Sequence, residues 1–173
     1  MKIKENVMVD LETLGTRAGC SILSIGAVKF DAEGLGEEFY VVVSRENCII
    51  MGLIEDPDTI NWWSKQAPEA RTVLDEAAKP EAKTLEEALN MFTKWLANEK
   101  VWGNGSDFDN AILYACYAAI GQETPWKFWD SRCYRTLKAL YPTIKMVRGG
   151  TYHNALDDAK SQANHAVEIF KKR

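Results

Sequence analysis

Three short segments carry side chains whose types and spacing suit metal or acid–base chemistry. Asp10-Leu11-Glu12 closes the apolar run Val7-Met8-Val9. Residues two apart on a strand point the same way, so both carboxylates project from one face at a strand's carboxyl end, the edge where α/β sheets place ligands. Carboxylates that close repel unless a cation lies between them, although two solvated acids at a strand end are the plain alternative. Gly103-Asn104-Gly105-Ser106-Asp107-Phe108-Asp109-Asn110 is a glycine-rich turn between an expected strand and an expected helix. Its small residues let backbone N–H groups approach a phosphate, and Asp109 can point back to the sheet edge. Either Asp107 or Asp109 could equally serve as a helix cap. In His153-Asn154-Ala155-Leu156-Asp157-Asp158, a helix starting near Asn154 puts Asp158 about one turn in, sharing space with His153. Imidazole, with an unperturbed pKa of about 6.5, suits proton transfer near neutrality. His165, seven residues beyond Asp158, reads as structural or solvated.

The pattern around these segments predicts strands at Val7–Asp10, Ile22–Phe30 and Glu38–Val43, with Asp31-Ala32-Glu33-Gly34 turning the last two into an antiparallel hairpin. Helix starts follow at Asp56-Pro57 and Pro68. Thr84-Leu85-Glu86-Glu87 has the form of a capping box, and Leu85, Leu89, Phe92 and Leu96 recur at helical spacing behind it. A strand at 100–104, a helix from Asp109 to about Ile120 stopped by Gly121, and a weak strand near Phe128-Trp129 come next. A helix through Leu140 and a final helix from about Ala155 to Lys171 complete the chain. Hairpin-connected strands followed by strands alternating with helices predict an α/β domain with a mixed sheet covered on both faces.

Composition sets limits on this picture. The 173 residues include 21 basic and 25 acidic side chains, a net charge of −4, with 46% apolar residues. That suits one globular domain spanning 1–173 and excludes dominant disorder. The longest apolar run, Ala111 to Ile120, is far short of a membrane span and contains two tyrosines. Met1 to Asn6 has no leader's apolar region, so a cytoplasmic protein without a membrane partner is expected. Cys20, Cys48, Cys116 and Cys133 are too scattered for a zinc site or disulfide framework and read as reduced thiols, mostly in the core. Taken alone, the negative charge counts against a nucleic-acid partner. It is unevenly spread, however: residues 101–173 hold 10 basic and 7 acidic side chains, and Trp126 to Arg148 is the most basic stretch.

Together the three segments resemble the DnaQ-like 3′-5′ exonucleases of the RNase H-like superfamily, in their histidine-containing DEDDh subtype. D-x-E stands at Asp10 and Glu12, F-D at Phe108-Asp109, and H-x-x-x-x-D at His153 and Asp158. The wording Asp10-Leu11-Glu12-Thr13-Leu14-Gly15, Ile60-Asn61-Trp62-Trp63 and Trp102-Gly103-Asn104-Gly105 is most similar to the small exoribonuclease-like branch of phages and bacteria. The resemblance implies an RNase H-like fold, with a five-stranded mixed sheet of antiparallel strands 1–3 and then parallel strands, flanked by helices. It also implies phosphodiester hydrolysis by two Mg²⁺ or Mn²⁺ ions held roughly 4 Å apart. Asp10, Glu12, Asp109 and Asp158 would be the metal ligands and His153 the general base, leaving Asp107 and Asp157 as capping or supporting neighbours. The implied partner is single-stranded or 3′-overhang DNA or RNA, in the cytoplasm of a bacterium or phage-infected host cell, and the family also raises a homodimer.

Leu14 occupies the place where family members press an apolar side chain against the terminal base, with Thr13 and Gly15 offering contacts beside it. Asn104 and Phe108 join the expected substrate-binding residues. Trp62 or Trp63 could stack a base, an interaction worth ~1–3 kcal/mol, or could pack in the core. Arg132, Arg135, Lys138 and Arg148 are candidate phosphate contacts, with an exposed helix face as the alternative for each. Two other function classes compete. An aspartyl-phosphate phosphatase begins at the same kind of strand end but has Asp where Glu12 stands, and it gives no reason for His153 with Asp158. A catalytically silent nucleic-acid-binding module of the same fold would typically have lost ligands that this chain keeps.

Overall fold

The computed structural model describes residues 4–172. Residues 1–3 and 173 lie outside it, and with them half of the Met1–Asn6 segment read above for a leader. Among the described residues, five strands form one sheet in the order β3-β2-β1-β4-β5. β1 (Asn6–Thr13), β2 (Ile22–Asp31) and β3 (Gly34–Val42) are antiparallel neighbours, while β4 (Lys100–Gly103) and β5 (Ser131–Cys133) add in parallel on the other side of β1. This is the mixed sheet that the sequence predicts. Among the described residues, seven α-helices accompany it: α1 (Arg45–Ile50), α2 (Pro57–Ser64), α3 (Pro68–Ala77), α4 (Leu85–Trp95), α5 (Ala111–Ala119), α6 (Tyr134–Leu140) and α7 (Ala155–Lys171).

The period of two along β1 divides the core. Val7, Val9 and Leu11 pack with Leu85, Leu89 and Phe92 of α4 and with Ile112, Leu113 and Cys116 of α5. Met8 faces the other way, into Val28, Phe30 and the α7 residues Ala159, Ala163, Ala166 and Val167. Asp10 and Glu12 follow Met8 by the same period, so the strand aims both carboxylates at the α7 side. A third cluster, with Leu14, Leu23, Trp63, Ala70, Val73 and Ala77, seats α2 and α3 beside the end of β1.

The capping box at α4 is present: the Thr84 hydroxyl accepts from the Glu87 N–H and the Glu87 carboxylate accepts from the Thr84 N–H. Cys20, Cys48 and Cys116 are buried free thiols and Cys133 is partly so. Two expectations change. The strand expected at Phe128-Trp129 is a 3₁₀ turn, Phe128–Asp130, and pairing with β4 begins at Ser131. Both aromatic rings are exposed, so they lack the buried face that β propensity describes. α1 had no expected counterpart; it starts at Ser44, whose side chain accepts from the Asn47 N–H.

α7 comes down on the sheet where Gly26 of β2 stands opposite Asp10 of β1. A Cβ on Gly26 would collide with the Ala155 carbonyl carbon and the Leu156 nitrogen, so only glycine admits the start of α7 there. Gly26→Ala should therefore lower stability by about 3 kcal/mol in urea denaturation, because the obstacle is backbone and cannot rotate away. Gly149→Ala, where an added Cβ meets nothing within 4 Å, should change it little; equal midpoints for the two variants would refute this close approach.

Candidate active site

Four carboxylates reach one place from three elements. Asp10 and Glu12 come from the end of β1, Asp158 from the first turn of α7, and Asp109 from a π turn, Ser106–Asn110, that leads into α5. The sequence led to an α-helix beginning at Asp109, but the chain makes this wider turn first. It lets Asp109 point back: Oδ1 accepts from the Leu11 N–H at 3.1 Å and Oδ2 from the Asn104 N–H at 2.8 Å. Gly103 leaves the room, since a Cβ there would strike the Asn110 side chain and press on Asp109.

One carboxylate oxygen from each of Asp10, Glu12 and Asp158 lies within 4.8 Å of the other two. Asp109 is not one of this group of three; its two oxygens accept from the Leu11 and Asn104 N–H groups. Burial raises the pKa of all four. Asp10 is raised most by desolvation, then by the charges of Asp109, Glu12 and Asp158. Glu12 is pushed up to about 8 by desolvation, Asp158 and Asp109. Asp109 rises to about 7 through desolvation despite its backbone hydrogen bonds. Asp158 is raised by desolvation and held down by Arg148 and His153. Three mutually repelling oxygen donors with no thiol among them fit a hard divalent cation.

Other groups fix these acids. Gln162, one turn beyond Asp158 on α7, donates from Nε2 to Asp10 Oδ1 at 2.8 Å, and its buried Oε1 has no partner among the described residues. Sequence reasoning missed Gln162; its i+4 spacing from Asp158 on the inward helix face is the signal that could have found it. His153 has a left-handed backbone, φ 59°, and its N–H donates to Asp158 Oδ2 at 3.2 Å. Its ring stands edge-to-face on Trp62 at 4.9 Å between centroids. Asn154 caps α7 by accepting from the Asp157 N–H, and Asp157 accepts from the Thr151 N–H, a supporting role.

The cavity is ≈ 500 Å³, and Asp10, Glu12, Asp158, Gln162 and His153 line it. Of the expected substrate residues, Thr13, Asn104, Phe108, Trp62 and Arg148 line it as well. Leu14 does not: it is 0% exposed, in the cluster with Leu23 and Trp63, just past the register irregularity at Glu12/Thr13 where the alternation of β1 ends. Trp63 is likewise core, its indole N–H donating to the Thr13 carbonyl. Arg132 and Arg135 also stand outside the lining. Arg132 donates to the Trp129 and Ser131 carbonyls and Arg135 to the Asn104 carbonyl, so these guanidiniums brace loops. His165 is structural, bonded to Tyr134 and to the Ile144 carbonyl.

Residues 5–170 match the family model described as a 3′-5′ exoribonuclease Rv2179c-like domain. No curated protein matches the chain in sequence. Among solved structures, it is similar to "Exonuclease X in complex with 5′ overhanging duplex DNA", with a TM-score of 0.61 and 17% identity over 96% of this chain and 91% of that one. The nuclease domain of 3′hExo, a DEDDh family member bound to rAMP, gives 0.62 and 14%, covering 99% and 95%. A 3′-exonuclease in a structure of 3′-end-specific recognition of histone mRNA stem-loop gives 0.52 and 15%, covering 99% and 84%. At these identities the likeness is one of fold.

The raised carboxyl pKa values make stability depend on pH with a definite sign. The folded chain keeps protons that the unfolded chain releases, so stability is full below the ordinary glutamate value of 4.5 and is lost as pH climbs to about 8. The melting temperature of the chelator-treated protein should fall by roughly 5 °C or more between pH 5 and pH 8. Added Mn²⁺ should restore it at pH 8 and not at pH 5, where the acids hold protons. A flat profile in differential scanning fluorimetry would contradict the clustering.

Proposed function

The chain belongs to the 3′-5′ exoribonuclease Rv2179c-like domain family, and from that premise we propose that it hydrolyses the last phosphodiester at the 3′ end of single-stranded or 3′-overhanging nucleic acid, releasing nucleoside 5′-monophosphates. The observation that carries this reading is the convergence of Asp10, Glu12 and Asp158 within 4.8 Å, with His153, whose backbone N–H donates to Asp158, lining the same cavity. RNA is the favoured substrate: the family description names a ribonuclease and one structural neighbour holds rAMP, while another neighbour's duplex DNA makes DNA the competitor.

Bound at this cluster, a pair of Mg²⁺ or Mn²⁺ ions would supply the positive charge and acidified water that phosphodiester hydrolysis needs. Asp10, Glu12 and Asp158 would hold the cations. Gln162 occupies Asp10 Oδ1 and leaves Oδ2 for ligation. Asp109, with each oxygen accepting a backbone N–H and keeping a lone pair, would complete the expected set of four carboxylate ligands from behind the other three. The His153 ring makes no hydrogen bond among the described residues, so its nitrogens are free to take the proton from the attacking water while the Trp62 contact fixes the ring plane. The 3′ oxygen of the penultimate nucleotide leaves with a proton from solvent. Thr13, Asn104 and Phe108 shape the pocket for the terminal nucleoside, and Arg148 reaches its phosphate.

The test is mononucleotide release from 5′-labelled RNA and matched DNA, single-stranded and overhang-bearing. RNA should be shortened from its 3′ end, EDTA should stop the reaction, and Asp10→Asn should abolish both activity and Mn²⁺ binding. His153→Ala should cut the rate by about 10²-fold or more with Mn²⁺ binding kept. No release from any of these substrates would leave a nucleic-acid-binding module and refute the hydrolase.

A further inference from the structure

Arg148 stands in a place that a phosphate contact alone does not explain. Its Nη1 lies 2.5 Å from Asp158 Oδ1, and Asp158 Oδ2 accepts from the His153 N–H, so both oxygens of a metal-cluster carboxylate are engaged by protein. A cation drawing on Oδ1 must share it with, or take it from, a guanidinium that never gives up its charge. The Arg148 side chain is 36% exposed, and while paired with Asp158 its guanidinium also rests 4.7 Å over the ring of exposed Tyr152, so one face of the group already lies against the surface.

The backbone around Arg148 is tied down on both sides. The Ile144 carbonyl accepts from His165 Nε2 at 2.8 Å, the Gly149 N–H donates to Ser161 Oγ at 3.1 Å, and the Thr151 N–H donates to Asp157 Oδ2 at 2.8 Å. All three anchors sit on α7, the helix that carries Asp158. The Arg148 Cα is therefore fixed at the cavity rim. Moving the guanidinium from Asp158 toward a phosphate in the cavity needs only side-chain rotation.

We propose that Arg148 is a displaceable counter-ion: it pairs with Asp158 while the cluster lacks a cation, and on cation entry it is transferred to the phosphate of the bound nucleotide. This rests on the metal-dependent reading above and adds a coupling to it. Cation binding frees Arg148 for the phosphate, and a bound phosphate draws Arg148 off Asp158, so each ligand strengthens the other by the same factor.

The experiment is calorimetric titration of the full chain with Mn²⁺, with and without adenosine 5′-monophosphate, for the wild type, Arg148→Gln and Arg148→Lys. Arg148→Gln should bind Mn²⁺ about fivefold more tightly alone, and the gain in Mn²⁺ affinity that the nucleotide brings in the wild type should shrink about fivefold. Arg148→Lys, which keeps charge but not the planar fork, should fall between. Unchanged or weaker Mn²⁺ binding by Arg148→Gln overturns the proposal. So does tighter binding with the nucleotide coupling intact, which is the signature of charge removal alone. A wild type that binds no Mn²⁺, or Asp10→Asn binding it normally, would overturn the metal site itself and the counter-ion role with it.

Discussion

The close approach of α7 to β2 at Gly26 is the constraint from which the site geometry follows. Asp10 stands opposite Gly26 in the β1–β2 pairing, and the missing side chain admits the backbone of Ala155 and Leu156 against the sheet. Further along, Ala159, Ala163 and Ala166 keep the helix low over Met8, Val28 and Phe30. Small side chains on that face trade contact area for proximity. That proximity delivers Asp158 and Gln162 to the carboxylates of β1. Raised by one larger residue at position 26, the start of α7 would carry His153, Asp158 and Gln162 away together.

Holding the acids that close has an electrostatic cost, and the chain meets it unequally. Asp109 receives two backbone N–H groups, Asp10 an amide from Gln162, and Asp158 a guanidinium and a backbone N–H. For Glu12, burial and its neighbours only raise the pKa, to about 8, and nothing lowers it. Glu12 thus has no protein partner to favour its charged form, although it is the acid that the sequence places most simply, two residues after Asp10. The acidic composition, which at first argues against a nucleic-acid partner, is in this light local: its sharpest concentration is where cations would screen it from a phosphate.

What the sequence makes legible is what short-range physics decides. β1 and β2 announce themselves by apolar runs ending in turn residues, α4 by a capping box, and α7 by an inward stripe with Asn154 in front. The three motif segments meet in one cavity because each lies at the end of an element that the pattern already defines. Features set by tertiary contact are not legible. β5 is Ser131–Cys133, three residues without a hydrophobic pattern, held by its pairing with β4. The π turn at Ser106–Asn110 exists because Asp109 bonds backward to Leu11 and Asn104, partners that no local propensity encodes. The place of Leu14 in the motif is silent on the chain's turn at the end of β1, and the residue type of Arg132 and Arg135 is silent on which carbonyl lies within a guanidinium's reach.

His153 adopts an unfavourable local conformation. Its φ of 59° lies in the left-handed region, where a residue with a side chain is strained and glycine would be at ease. The turn is needed because Asn154 must cap α7 while the preceding N–H bends back to Asp158 Oδ2. Glycine would satisfy that backbone at lower cost. A histidine there puts an imidazole beside the carboxylate that its own N–H binds, with Trp62 at 4.9 Å holding the ring on its other side. One residue thereby ties the position of an imidazole to the position of a clustered carboxylate. The strain is understandable as the consequence of placing both groups from a single Cα.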